Sequence, residues 1–232
     1  PTEQFITAVV TTEAITSDIE GMSRALQSQK EHHDIEPSEL YTDAGYITDD
    51  TLYEAQQAGR ELIGPARPSP KHLQGFPSED FFVDVDDDGK PTAICPAGEL
   101  NTQCALITER SGRQYYRFEW SYKCDTCPRR KQCTKSKTGR RQLVVGLHHL
   151  LLQARRNEMK TEQFQQRMHQ RAAIEGTNSE LKRKYGFGRS RYRGLAKTSL
   201  ACSCAAAACD VNRWLRLLLW QADQGGPTMD IA

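Results

Sequence analysis

Cysteine spacing gives the first chemical signal in this chain of 232 residues. Cys124 and Cys127 are separated by two residues, and Cys133 follows after five more. Thiolates at this spacing can reach one tetrahedral metal ion, and a fourth ligand would complete the shell. Cys95 is the preferred fourth ligand because Cys-Pro at a strand end resembles a zinc-knuckle corner. Cys104 is the alternative, and His148 or His149 is a more remote third choice.

A shell of four thiolates leaves no open position for water, so a zinc ion at this place would be structural. The same ligands accept an iron–sulfur cluster, so the choice between zinc and iron–sulfur stays open. The chain has eight cysteines and no secretory signal, which favours reduced thiols or metal ligands over disulfides.

Two carboxylates occupy positions suited to metal chemistry. Asp43 follows a predicted strand, and functional carboxylates in α/β sheets tend to lie where strands end; the alternative is an Asp that only begins a turn. Glu175 shares one stripe of a predicted helix with Arg171 and Lys182, within about 40° around the axis. A solvated salt-bridge face is the alternative, but the apolar residues around Glu175 predict that it faces the body of the protein.

A basic segment over residues 182–197 is the strongest binding signal. It contains no acidic residue, and Tyr185, Phe187 and Tyr192 lie among its cations. Its basic residues are Lys182, Arg183, Lys184, Arg189, Arg191, Arg193 and Lys197. Cations for phosphates beside rings that stack on bases are typical of nucleic-acid-binding surfaces; a basic loop with no ligand is the alternative.

Charge is divided unevenly along the chain. Residues 1–94 hold six Lys and Arg against 19 Asp and Glu, whereas residues 95–232 hold 25 against 11. A basic half of this size suits a polyanionic partner, unless the two halves neutralise each other. No apolar run approaches the roughly 18 residues of a membrane span, and no signal peptide opens the sequence, so we expect a soluble protein.

The elements that must position these residues begin with a β-α-β-α-β order. Hydrophobic patterns predict strands at 5–12, at 39–42 and from 62, with helices at 18 to about 31 and from an N-cap at Thr48 to about 58. Asp88-Gly89 predicts a hairpin turn between strands at 81–83 and 92–94. Helical patterns cover 143–168, 170–186 and 199–220. The first part therefore predicts a sheet with helices packed on it.

Several short motifs follow one another in a fixed order. They are Ile6-Thr-Ala-Val-Val-Thr-Thr12, Asp43-Ala-Gly-Tyr46, Cys95-Pro-Ala-Gly98, Cys124-x-x-Cys127-Pro, Arg171-Ala-Ala-Ile-Glu175-Gly, Tyr185-Gly and Arg191-Tyr-Arg-Gly194. As an ordered set, covering nearly all of residues 5–220, they resemble the C-terminal part of DDE transposases of insertion sequences. Within the IS4/IS5-like superfamily, the chain is most similar to the IS1182 family.

This resemblance implies an RNase H-like catalytic domain in which three carboxylates hold two divalent ions, Mg²⁺ or Mn²⁺, for in-line displacement at a DNA phosphate. By the resemblance, Asp43 is the second catalytic, metal-ligating carboxylate and Glu175 is the third. Arg171 and Lys182 match the family's signature Tyr-x2-Arg-x3-Glu-x6-Lys and are expected to contact DNA, whereas Met168 stands in place of the Tyr. The family's first catalytic Asp would lie upstream of residue 5, so we expect a truncated transposase with little strand transfer by this polypeptide alone.

The expected fold class is α/β. A partial RNase H-like core at 1–75 is interrupted by a β-rich, Cys-containing insertion at 76–145, and is followed by a C-terminal helical part with the basic DNA-binding segment at 146–223 and a flexible tail at 224–232. The implied partners are double-stranded DNA, at transposon ends and target, and a second copy in a homodimer, with no membrane. The implied location is the bacterial cytoplasm, associated with the nucleoid.

Two other function classes compete with this hypothesis. One is a non-catalytic, zinc-stabilised DNA-binding protein or regulator, which the absent first Asp favours. The other is a zinc-supported scaffold whose acidic half masks its basic half, which predicts DNA affinity with almost no salt dependence.

Overall fold

The computed structural model describes residues 5–68, 75–86, 90–137, 139–169 and 171–224, apart from the side chains at 172 and 173. The helices are α1 (Asp18–His33), α2 (Asp49–Gln57), α3 (Arg130–Cys133), α4 (His149–Glu158), α5 (Glu162–His169), α6 (Ala172–Lys184) and α7 (Leu195–Asp223). The strands are β1 (Glu39–Tyr41), β2 (Glu61–Ile63), β3 (Phe82–Val85), β4 (Pro91–Ile94), β5 (Leu100–Asn101), β6 (Cys104–Thr108), β7 (Gln114–Trp120) and β8 (Arg141–Gly146). This mixture of helices and strands fits the α/β class.

The described residues group into two compact units. Ser38–Met168 forms one unit, which contains all the strands and the helices α2 to α4 with nearly all of α5. The second unit combines the residues up to Pro37 with those from His169 onward, and so contains α1, α6 and α7. The chain therefore leaves the second unit after α1 and returns to it only before α6.

The α/β part of the Ser38–Met168 unit is smaller than the sequence predicts. β1 and β2 are parallel, with Leu40 opposite Leu62. α2 begins at the predicted N-cap, where the Thr48 side chain accepts a hydrogen bond from the backbone N–H of Thr51. This short α/β element holds the turn that carries the first candidate carboxylate.

The strand predicted at 5–12 is wrong, because these residues form no strand in the described part of the chain. The backbone N–H of Ile6 instead donates to the carboxylate of Asp210 on α7, at 3.0 Å. A β-branched run makes a strand only where a sheet offers it a hydrogen-bonding partner, and this run bonds to a helix side chain. The predicted β-α-β-α-β order is reduced to α1-β1-α2-β2.

The main core lies between two three-stranded antiparallel sheets, β3-β4-β5 and β6-β7-β8. Its buried side chains are Phe81, Val83, Ala93, Phe118, Trp120, Leu143 and Val145. The indole N–H of Trp120 donates to the backbone oxygen of Glu99 at 2.9 Å. The strands of the predicted hairpin are confirmed, whereas its turn at 88–89 lies outside the described residues.

The helix predicted to begin at 143 is also corrected. Leu143 and Val145 are buried and Val144 is exposed, which is the period of two of a strand packed on one face. These residues belong to β8, and the helical stretch begins at His149. Residues 143–145 are all apolar, so the sequence shows no alternation that would distinguish this strand from the start of the helix after it.

The predicted helices of the second unit are confirmed, and α7 extends over 29 residues. Leu181 of α6 is buried, as are Ala206 and Cys209 of α7. Within the described parts of the chain, no helix combines the length and the apolar character needed to cross a membrane.

Candidate functional site

The first candidate carboxylate lies where the sequence predicts it. β1 ends at Tyr41, the backbone N–H of Thr42 still donates to Ile63 at 2.8 Å, and Asp43 then begins the turn that leads to α2. The Asp43 carboxylate is exposed and accepts a hydrogen bond from the backbone N–H of Ala44. It is therefore a solvent-facing carboxylate at the end of a parallel strand.

The second candidate carboxylate lies on α6, but it does not face the body of the protein as expected. The Glu175 side chain is 69% exposed and forms an ion pair with Arg171 at 3.4 Å. The residue of α6 that packs inward is Glu180, whose side chain is only 16% exposed. Glu180 lies five residues further along, roughly 140° around the helix axis, so α6 turns its other side to α7.

Glu180 is the centre of an ion-pair network that sequence reasoning missed. The buried guanidinium of Arg213 on α7 donates to it at 3.1 Å, and Lys184 and Arg216 lie at 3.3 and 3.4 Å. Burial acts to raise the pKa of Glu180, but hydrogen bonds from Arg213 and Lys184 outweigh it and hold the pKa below its ordinary value. The network fixes α6 against α7; in the sequence, only the i,i+4 spacing of Glu180 and Lys184 hints at it.

The two candidate carboxylates belong to different compact units, Asp43 to the Ser38–Met168 unit and Glu175 to the other. Among the residues that the structure describes, no group of three or more His, Cys, Asp or Glu side chains is arranged to hold a metal ion. The described residues thus supply carboxylates of the right type for Mg²⁺ but no assembled metal site.

A groove of about 970 Å³ lies in the second unit, between the end of α6, the loop that follows it and the first half of α7. We call it the basic groove. Its lining consists of Lys182, Lys184, Tyr185, Gly186, Phe187, Gly188, Arg189, Ser190, Arg191, Tyr192, Thr198, Ala201, Cys202 and Ala205. Four of these residues are cations and none is acidic, so the groove is suited to an anion.

The basic groove contains four of the eight residues predicted to contact DNA: Lys182, Lys184, Arg189 and Arg191. The other four, Arg171, Arg183, Arg193 and Lys197, do not line it. Arg171 is paired with Glu175, and the Nε of Arg183 donates to the backbone oxygen of Ser179 at 3.4 Å. The structure therefore separates the predicted cations into a groove set and a set outside it.

The four cysteines preferred as metal ligands come together. Cys95, Cys124, Cys127 and Cys133 all line one cavity of about 20 Å³, whereas Cys104 does not. A cavity of this size has room for a single water molecule or ion. We call it the cysteine cavity.

Two thiols of the cysteine cavity are disfavoured as thiolates by burial. Burial raises the pKa of Cys124 and of Cys133, while Arg141 acts in the opposite direction on both. Among the described residues, no group of side chains is arranged to hold a metal ion, and this includes these cysteines. The cavity thus gathers the thiols without arranging them around an ion, and the expected preformed zinc site is not found.

Comparison with known proteins identifies a family. The sequence model of a family described as the transposase DDE domain matches residues 94–215, more than half of the chain. The match includes Glu175, the basic groove and the four cavity cysteines, whereas Asp43 lies outside it. Searches of curated proteins and of solved structures find no similar protein. The chain belongs to the transposase DDE domain family.

Proposed function

We propose that this chain acts on DNA as part of a DDE transposase of the insertion-sequence type. The observation that carries the proposal is the basic groove, which lies inside the family-matched region and presents four cations and no carboxylate. Lysine and arginine gain affinity for DNA by displacing counterions from its phosphates. The DNA that these cations would bind is that of the transposon ends and of the target.

We assign Asp43 and Glu175 as the metal-ligating carboxylates of the reaction. Both side chains are exposed, and carboxylate oxygens are the ligands that Mg²⁺ and Mn²⁺ prefer. Arg171 lies 3.4 Å from Glu175 and restrains its carboxylate. The assignment predicts that substitution of Asp43 or of Glu175 removes metal binding at the substituted position.

An iron-cleavage experiment tests this function. Fe²⁺ is added in place of Mg²⁺ to the protein bound to duplex DNA, and ascorbate and peroxide then generate radicals that cut polymer chains close to the ion. We expect protein cuts beside Asp43 and beside Glu175 together with local cuts in the DNA, all suppressed by excess Mg²⁺. Glu175→Gln should abolish the cuts beside residue 175, because its amide is a poor ligand for a hard cation.

The matched control is Glu162→Gln, at an exposed carboxylate on α5, which should leave the cutting pattern unchanged. Cuts confined to other places, or a pattern that Glu175→Gln does not alter, would contradict the metal assignment. A failure of the protein to bind DNA would contradict the proposed function itself.

We also propose that the cysteine cavity takes up a structural zinc ion on Cys95, Cys124, Cys127 and Cys133. The proposal is supported by the spacing of the cysteines and by their common cavity beside the core residue Trp120. Because the thiols are not arranged around an ion in the described geometry, uptake must rearrange the side chains and release protons from the thiols.

Zinc content of the purified protein tests this second proposal. We expect an equimolar amount of zinc, lost in Cys95→Ser and retained in Cys104→Ser, since Cys104 packs against the core without lining the cavity. The raised thiol pKa values also predict weaker zinc binding as the pH falls. Absence of zinc, equal losses in the two variants, or the visible absorbance of an iron–sulfur cluster would each contradict it.

A further inference from the structure

The basic groove is lined by aromatic rings as well as cations. Tyr185, Phe187 and Tyr192 all lie along it, and Tyr192 is 56% exposed. The hydroxyl of Tyr185 is held by the side chain of Asn212 at 2.9 Å. Tyr192 is thus the ring of the lining whose face is most available to a ligand.

Rings of this kind distinguish between two forms of DNA. Bases inside a duplex are stacked on their neighbours, so their faces are closed to a protein ring. Unpaired bases stack on aromatic side chains in grooves whose cations follow the sugar–phosphate backbone. A groove that offers rings and cations together therefore favours an unpaired strand.

The charge and the shape of the groove agree with this ligand. Lys184 is paired with Glu180 at 3.3 Å, whereas Arg189 and Arg191 are exposed on the loop. The α7 side of the groove consists of small side chains, among them Ala201 and Cys202. A volume of about 970 Å³ is at the upper end of small-molecule sites, which is enough for a few nucleotides of one strand.

We propose that the basic groove binds a short unpaired DNA strand, with phosphates on Arg189 and Arg191 and a base stacked on Tyr192. The inference rests on the proposed function, since it names the form of DNA that the groove takes. A strand end released beside a cut is such a substrate.

Binding of three labelled DNA probes tests the proposal: a blunt duplex, the same duplex with a short 3′ overhang, and a single strand. We expect the overhang to raise the affinity above that of the blunt duplex. Tyr192→Ala should reduce the affinity for the overhang and for the single strand about tenfold, within the range reported for loss of base stacking. The blunt duplex should be unaffected, and Tyr192→Phe should retain wild-type affinity because its ring still stacks.

The control variant is Tyr122→Ala, at a ring that is 75% exposed in the other unit, and it should change no affinity. Arg189→Ala and Arg191→Ala should each reduce the salt dependence of single-strand binding by about 0.7 in the slope of log affinity against log salt.

Cysteine alkylation gives an independent readout. Cys202 lines the groove, whereas Cys204, two residues further along the same helix, is exposed and does not. A single-stranded probe should therefore slow alkylation of Cys202 and leave Cys204 unchanged.

The outcomes separate this inference from the function it depends on. If the blunt duplex binds as tightly as the overhang and Tyr192→Ala weakens both equally or neither, the inference is overturned while DNA binding stands. If no probe binds, the proposed function fails with it.

Discussion

Replacing Trp120 by alanine is expected to lower the free energy of unfolding of the Ser38–Met168 unit by about 3–5 kcal/mol, the range typical of a large aromatic side chain removed from a core. Trp120 is 2% exposed. Its ring centroid lies 5.4 Å from that of Phe81 and 6.3 Å from that of Phe118. Truncation would leave a cavity between these rings and remove the donor to the Glu99 carbonyl.

Urea unfolding, followed by far-ultraviolet circular dichroism and by hydrogen exchange of the β7 and β8 amides, measures this effect. Trp120→Phe should cost less, because it keeps most of the ring volume and loses the indole N–H. The exposed Tyr122 provides the control, since Tyr122→Ala should stay within about 0.5 kcal/mol. A loss for Trp120→Ala as small as that of the control would mean that the two sheets do not share this core.

Acid is expected to destabilise the same unit through His149. Its side chain is buried and its Nε2 has no hydrogen-bond partner in the described structure. Burial lowers the pKa of His149 to about 4 and the charge of Arg156 acts in the same direction, whereas Asp49 and Glu79 oppose them. An unfolded chain would bind a proton at this histidine near its ordinary pKa of 6.5.

The direction in which stability changes with pH depends on which state, folded or unfolded, binds a proton at His149. Above about pH 6.5 both states are neutral at His149, and between pH 6.5 and about 4 only the unfolded chain gains the proton. Stability therefore falls as the pH drops through this window, by about 3 kcal/mol in total, and this contribution levels off below it. The stability contributed by neutral His149 is present in full only above the window.

The free energy of unfolding of His149→Gln, measured across this pH range, separates the pH dependence caused by His149 from that caused by the acidic residues. The variant should lose much of the pH dependence that the unmodified protein shows between pH 6.5 and 4. His32→Gln, at an exposed position on α1, should keep it. Identical pH profiles for the unmodified protein and His149→Gln would contradict the buried neutral histidine.

Local patterns in the sequence predict the helices well and the strands unevenly. The cap at Thr48 and the periodicity of α1 and α7 depend on residues a few positions apart, so the sequence suffices for them. The strand predicted at 5–12 depends on a distant partner, and here the backbone of Ile6 bonds to Asp210 on α7. Such pairings cannot be inferred from a single segment.

The candidate site also combines features that nearby residues predict with features that depend on distant contacts. Spacing indicates Cys124, Cys127 and Cys133, but the choice between Cys95 and Cys104 depends on which strand end faces the cavity. The direction of Glu175 was predicted wrongly because the residues around it cannot show that α6 packs on α7 through Glu180 and Arg213. The basic segment was recognisable from composition alone, whereas the groove within it requires the fold.

The path of the chain through the two units has a consequence for its synthesis on the ribosome. Ser38–Met168 is continuous in sequence, so it can fold as soon as it has emerged. The segment from Phe5 to Pro37 must wait for α7, the last helix described, before Ile6 can meet Asp210, 204 residues away. Contacts between such distant residues form slowly, so the nascent chain exposes α1 and its preceding segment until α7 has been synthesised.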